Sequence, residues 1–471
     1  MNTTMEHTST ADIKPSNQMR KFGIKDKVGY MFGDIGNDLF FGLIGGYLML
    51  FYTDVYGISA AAAGMILLIA RVLDAAFDVA WGAYVDSKPA GARGKFRPYL
   101  LYCALPVTLL GVLTFTYIPV TSDSLLKVIV AAVPYILWGL AYSTINIPYG
   151  SLASVMTSDP IERTGLSTFR TLGALLANVF IMVAAPSIVF SAGKTPTSTG
   201  FLLIAIICAV LANLFYFGSY KFTVERVRGA KHNQEKTSIL ITVKGLLSNR
   251  PLLGLMLASF GMLASMLVSQ AITPYLFKDY FKNPGLIAMS GLIGLGAMFV
   301  AMPVITPLVK KYGKKETASI GLIITFIVSA LMFILPITNA YVYMTLNCIS
   351  NFGLAFMNIL IWAMVADCID YQEKITGRRE EGTVYSVYSL VRKIGQAVAG
   401  GIGGFALVYV GYNSGAQSQT VDVAQGIKAI ITLVPAVGAL IALLAMILIY
   451  NLTKSKLVNL NEDLIQLRIE D

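Results

Sequence analysis

The chain has 471 residues, 56% of them hydrophobic and 13% charged, with a mean hydropathy of +0.68 and a formal net charge of +10. These proportions exclude an ordinary water-soluble domain and point to a chain solvated by lipid. The basic surplus follows from membrane topology and attraction to anionic lipid, so no nucleic-acid partner is called for.

Residues 1–27 read as a cytoplasmic tail, because they hold neither an apolar core nor a small-residue cleavage site. Apolar runs long enough to cross a hydrocarbon core of ~30 Å then recur. They lie at 28–54, 60–83, 98–119, 126–155, 165–192, 199–222, 252–278, 285–309, 316–337, 341–366, 383–411 and 425–453. Each span must satisfy its own backbone hydrogen bonds in lipid, and none alternates as a barrel strand would. The fold class is therefore an all-α membrane protein with twelve transmembrane helices in two six-helix bundles. The bundles occupy 28–222 and 252–453, the polar loop 223–251 joins them, and 454–471 is a second cytoplasmic tail.

Basic loops at 82–98 and 307–316 occupy equivalent places in the two halves, as a duplicated transporter of the major facilitator fold would show. Most of the 36 Lys and Arg residues fall on the side of the termini. The positive-inside rule puts that side in the cytoplasm, with the protein in the plasma membrane. His7 and His232 lie in the tail and the central loop, so no histidine relay crosses the membrane. Cys103, Cys208, Cys348 and Cys368 lack metal-ligand spacing and read as free thiols.

Charges inside the spans carry the functional signal, since an ionised group near the bilayer centre must face a partner or a water-filled cavity. In RVLDAAFDVAWG, Asp74 and Asp78 sit one helical turn apart on one face, with Arg71 three residues before. In GDIGNDLFFG, Asp34 and Asp38 repeat that spacing, and Arg392 and Lys393 lie in the eleventh span. Together these four acids and three bases leave one negative charge, which one cation would neutralise. Crowded carboxylates can share a proton. Na⁺ would need several oxygen ligands, and Phe77, between the two acids, supplies none. The alternative is a structural ion cluster pinning two helices.

Several stretches in this order resemble the glycoside–pentoside–hexuronide:cation symporters of the major facilitator superfamily. They are GDIGNDLFFG (33–42), YTDVYGIS with ARVLDAAFD (52–59, 70–78), RGKFRPYLL (93–101), ILWGLAYSTINIPYGSL (136–152), MVADCIDYQEKITGRREEG (364–382) and VRKIGQAV (391–398). The resemblance spans essentially the whole chain. It implies cation-site carboxylates at Asp74 and Asp78, sugar contacts at Asp38, with Asp34 beside it, and at Arg170, and a link between the two sites at Lys393. The family's DIPFW is NIPYG here, which puts Asn146 and Gly150 at sugar-contact positions and turns the expectation from galactosides towards pentosides such as xylosides. Phe77 and Ser143 replace an Asn and a Thr of the family's Na⁺ site, which favours H⁺ as the coupling ion over Na⁺. No other cofactor and no metal is implied.

Tyr47, Tyr142, Tyr149 and Trp362 could cover an apolar sugar face or simply pack. In the cytoplasmic motifs, Asp86, Arg93, Lys95 and Arg97 could form a latch with Asp159 or Glu162, and Asp367 and Arg378 could contribute; the alternative is a solvated loop. The expected function is proton-coupled symport of a pentoside by alternating access. A sugar and the lipid bilayer are the partners, and the 223–251 loop leaves room for a cytosolic regulatory protein. Two competing readings remain. One is lysolipid transport on the same fold. The other is a membrane prenyltransferase, suggested by the acid pairs at 74–78 and 367–370 but requiring both pairs in one pocket.

Overall fold

A computed structural model describes residues 20–89, 91, 93–120, 124–157, 159–191, 193, 195–226, 249–376, 381–416 and 418–470. All regular elements among them are helices. The first bundle comprises α1 (Ile24–Leu50), α2 (Ala60–Ser87), α3 (Arg97–Tyr102), α4 (Ala104–Thr114), α5 (Ser124–Met156), α6 (Pro160–Val189) and α7 (Ser198–Phe222). The second comprises α8 (Arg250–Tyr275), α9 (Leu286–Tyr312), α10 (Lys314–Ile334), α11 (Ala340–Thr376), α12 (Glu381–Tyr409) and α13 (Val421–Leu444), followed by α14 (Lys454–Glu470).

Eleven helical segments of the described chain are long and apolar enough to cross a membrane. The remaining expected span, the eleventh, is α12, whose apolar character is diluted by Arg392, Lys393 and a run of glycines. The third expected span is two helices end to end. Pro106 has no N–H to offer the carbonyl of Tyr102, so the helix breaks at Cys103. It also stops at Thr114 instead of 119, where Pro119 disfavours helical geometry at Ile118. The expected tail at 454–471 is largely a helix: α14 buries Leu460 and ties Lys374 of α11 to Asp463 at 2.5 Å. Most of the N-terminal tail and most of the central loop lie outside the described residues.

The two bundles touch through three helix pairs, α1 with α8, α2 with α12 and α6 with α9. Their close points gather on the far side, away from the termini. A Cβ on Gly404 of α12 would stand 2.5 Å from the Ala60 carbonyl and 2.6 Å from the Gly64 Cα. Only glycines let these backbones approach so closely. On the far side the apolar core runs without interruption from Leu43 and Tyr52 through Tyr275, Phe277 and Leu407. On the side of the termini the second bundle keeps a separate core around Leu255, Phe356 and Met446. The bundles share a core on the far side, while on the near side the second bundle's core is separate, so the two halves close together away from the termini.

That closure carries a charged lock. The last turns of α1 and α8 continue as π-helical turns, Phe51–Val55 and Leu276–Tyr280. These turns present Asp54 and Lys278 to each other as a buried ion pair across the bundle interface. Lys278 Nζ also donates to the Tyr412 hydroxyl (3.1 Å), which donates to Asp54 (2.7 Å), while Thr53 and Tyr275 share a hydrogen bond of 2.8 Å.

Candidate substrate and coupling site

Three groups of polar side chains line the middle of the molecule, each built from neighbouring helices. In the first, Arg170 of α6 donates Nε to Asp34 Oδ1 of α1 at 3.0 Å. Tyr149 of α5 lies flat under the guanidinium (5.4 Å) and stacks on Tyr30 at 4.6 Å, its hydroxyl bound to the Tyr30 carbonyl at 2.8 Å. Gly33 makes the stack fit, since a Cβ there would meet the Tyr149 ring at 2.4 Å. Tyr149 therefore supports Arg170 from behind. Asp34 is buried while the Arg170 side chain is 46% exposed, so the basic partner is the more accessible of the two.

The second group is an amide chain. Tyr216 donates to Asn37 Oδ1 (2.9 Å), and Asn37 Nδ2 reaches Asn146 Oδ1 at 3.5 Å. Asn37 is missing from the sequence reading, though a buried amide three residues after Asp34 in an apolar run was visible there. Asn146 thus belongs to a network with α1 and α7.

In the third group, Ser143 of α5 donates to Asp74 Oδ1 at 2.7 Å, and Arg71 lies 3.6 Å from Asp74 Oδ2 with its guanidinium over the Phe41 ring. One turn along α2, Asp78 forms an ion pair with Lys393 of α12. This pair joins the bundles. The second Asp78 oxygen, Oδ1, is buried and has no hydrogen-bond partner among the described residues, so Lys393 is the base in direct contact with this carboxylate.

The cluster of seven charges is corrected in one respect. Arg392 does not join the acids. Its guanidinium lies 5.4 Å from the Trp362 ring of α11, and Arg170 takes its place as the third base. Adjacent residues on a helix diverge by about 100°, so Arg392 and Lys393 cannot both face Asp78. With Asp34, Asp74 and Asp78 each matched to a base, Asp38 is left over. It is half-buried and has no hydrogen bond or ion pair among the described residues.

The aromatic candidates separate. Tyr142 is stacked between Trp138 (5.1 Å) and Phe41 (6.3 Å), and Tyr47 is packed in the far-side core. Trp362 is 44% exposed and meets Tyr388 edge-on at 5.4 Å.

Among the described residues, Arg93, Arg97 and Glu162 have partners other than each other. Glu225, unforeseen in the sequence, accepts the backbone N–H groups of Lys95, Phe96 and Arg97 at 2.7, 2.8 and 2.8 Å. Arg97 donates to the Tyr220 carbonyl and Arg93 to the Tyr102 hydroxyl, while Glu162 pairs with Lys27. These contacts stay within the first bundle. Asp367 pairs with Lys314 at 2.6 Å within the second. Arg378 and the side chain of Asp86 lie outside the described residues. The acids at 74–78 and at 367 occupy different bundles with separate basic partners, so they form no shared diphosphate pocket.

A family model described as MFS/sugar transport protein matches residues 29–454. An uncharacterised symporter of Bacillus subtilis (strain 168), YjmB, is 35% identical over 448 residues, covering 95% of this chain and 96% of its own. An isoprimeverose transporter of Lactiplantibacillus pentosus is 33% identical over 450 residues, covering 93% and 92%. Among solved structures, the nucleoside transporter NupG superposes with a TM-score of 0.65 at 11% identity, over 90% of this chain and 100% of that one. That likeness speaks for the fold alone.

Proposed function

The chain belongs to the MFS/sugar transport protein family, whose members here are membrane symporters and not enzymes, and on that footing we propose that it carries a glycoside together with a proton by alternating access. The observation that carries this reading is the Asp78–Lys393 ion pair between the two bundles. A proton on Asp78 removes the charge that holds Lys393. The freed ammonium then turns to sugar hydroxyls beside Asp38, Asn146 and Arg170, and the α2–α12 contact loosens. Because coupling is reciprocal, bound sugar in turn favours the protonated acid.

Two features support a proton over Na⁺. Hard cations take several oxygen ligands, whereas among the described residues Asp74 has one hydroxyl hydrogen-bond partner, Ser143, and Asp78 is engaged by Lys393. The pentoside reading rests on Asn146 and Gly150 at the positions of DIPFW, and a relative named for isoprimeverose is consistent with it. Termini in the cytoplasm and residence in the plasma membrane complete the proposal, so that the closed far side faces outwards.

Uptake of labelled methyl β-xyloside into proteoliposomes, under a proton gradient or a Na⁺ gradient imposed separately, tests this for the wild type and for Asp74→Asn and Asp78→Asn. Accumulation driven by protons and lost in both variants is expected. Accumulation under Na⁺ alone, or facilitated flux indifferent to either gradient, contradicts the coupling. Protection by lysolipid and not by sugar would favour the lipid reading.

A further inference from the structure

The far-side lock sets two acids against one base, and the second acid comes from an internal repeat. YTDVYGI (52–58) and FKDYFKN (277–283) occupy matching places at the ends of α1 and α8. In the first, the N–H groups of Tyr56 and Ile58 donate to the Phe51 and Tyr52 carbonyls, both at 2.9 Å, and Gly57 has a positive φ of 68°. In the second, Phe281 and Asn283 donate to the Leu276 and Phe277 carbonyls at 3.0 and 2.8 Å, and Lys282 has a positive φ of 53°. Asp54 and Asp279 are therefore equivalent positions of the two halves. Their neighbours differ, since Lys278 stands where the first half has Thr53.

Two duplicated acids thus share one ammonium. Asp54 takes the ion pair with Lys278 and the single hydroxyl hydrogen of Tyr412. The Asp279 side chain is only 4% exposed, and its Oδ2 stands 3.3 Å from the Lys278 ammonium but accepts no hydrogen bond among the described residues. The other ionisable groups around this turn are engaged elsewhere or exposed. Tyr275 of α8 is bonded to Thr53, and Tyr280 donates to the Ile337 carbonyl at 2.8 Å. From α13, which packs on the turn, Lys428 donates to the Phe333 and Leu335 carbonyls at 2.9 and 2.7 Å, while Asp422 and Lys282 are exposed.

Closing the bundles over this cluster would bury one uncompensated negative charge, which is costly. One proton removes it. When α1 and α8 part, water reaches both carboxylates and the proton is no longer needed.

We propose that Asp279 is a proton-binding site of the far-side lock, filled as the bundles close and emptied as they open. The proton comes from the water on the far side and returns there, so it adds nothing to the number carried with sugar. Because the closed state binds this proton more tightly than the open one, acidity on the far side favours closure. The site goes beyond the symport reading and depends on neither the sugar nor Asp78.

Spin labels at Ser187→Cys and Asn283→Cys report closure, because both residues are exposed on the wall of a cavity of about 710 Å³ between the end of α6 and the turn at 281–285. Distances between them are recorded by pulsed electron resonance in lipid nanodiscs without sugar, at about pH 5.5 and about pH 8. The parent is the full-length chain with Cys103, Cys208, Cys348 and Cys368 replaced by Ala. Its separated population is expected to rise roughly threefold or more at the higher pH, to stay low at both in Asp279→Asn, and to respond as in the parent in Asp78→Asn. Distances in the parent that ignore pH overturn the proposal without recourse to any variant, as does a response that survives Asp279→Asn or vanishes in Asp78→Asn. Infrared spectra of the chain with its native cysteines give a second readout. A protonated-carboxyl band at the lower pH should be weaker in Asp279→Asn, and equal bands in the two proteins overturn the proposal. Proton-driven uptake is scored separately, so failure here and failure of symport give different results.

Discussion

Lys393 of the second bundle is ion-paired with Asp78 of the first, and the remaining oxygen of Asp78 has no donor among the described residues. The pair is a contact between moving bodies whose strength depends on whether the acid carries a proton. Removing the base alone strands a carboxylate, so Lys393→Met is expected to cost about 1–2 kcal/mol of stability, less than a fully buried pair because the lysine is partly solvated. Adding Asp78→Asn should restore most of that loss. Thermal unfolding in detergent measures both, and independent, additive losses would show the residues to be uncoupled.

Asp34 and Asp38 have the same chemistry in the same helix but opposite consequences. Asp34→Asn leaves Arg170 without its carboxylate and should destabilise by roughly 1–3 kcal/mol. Asp38→Asn removes a charge that no base compensates, and should leave the melting temperature equal or higher while abolishing sugar accumulation. Equal losses of stability in the two variants would contradict the unpaired state of Asp38.

The far-side lock predicts a shift in conformational balance. In Lys278→Met, Asp54 loses its base and the α1–α8 contact weakens. Labelling of Tyr275→Cys by a membrane-impermeant maleimide from the far side should then rise several-fold over the same cysteine with Lys278 intact. Replacement of Gly404 by Val should act in the same direction, because its side chain would collide with backbone at Ala60 and Gly64. Unchanged labelling in both backgrounds would show that this surface does not close the far side.

Glu225 organises the loop after α2 through three backbone donors. Glu225→Ala leaves those N–H groups to water and should cost about 2 kcal/mol, with Glu225→Gln milder because its one carbonyl oxygen still accepts. Increased proteolysis near 88–96 in the Ala variant is the accompanying sign. Equal protection in all three forms would remove the anchoring role.

The spans were readable because lipid imposes one requirement on every residue of a long run, and the acids were readable because apolar runs make them conspicuous. Asp34, Asp74, Asp78 and Lys393 stand out for that reason, whereas Arg170 enters only through the family resemblance. Their pairings were not readable. Whether Arg392 or Lys393 faces α2 depends on the rotation of α12, which Gly400 and Gly404 fix through close backbone contacts that leave no trace in hydropathy. Asp54 and Lys278 lie at span ends, where charges usually meet water, so the buried lock shows only once α1 and α8 are brought together. Tyr149 and Tyr142 had the right chemistry for a sugar face, yet stacking on Tyr30 and Trp138 occupies them, a matter of three-dimensional neighbours rather than residue type.

The most direct test of the coupling is proton movement evoked by sugar alone. De-energised proteoliposomes containing the wild type, in weak buffer with no Na⁺, receive methyl β-xyloside while the external pH is recorded. The account predicts external alkalinisation as proton and sugar enter together, and none with Asp78→Asn. Sugar entry in the wild type without any pH change, or an undiminished signal in Asp78→Asn, would contradict it.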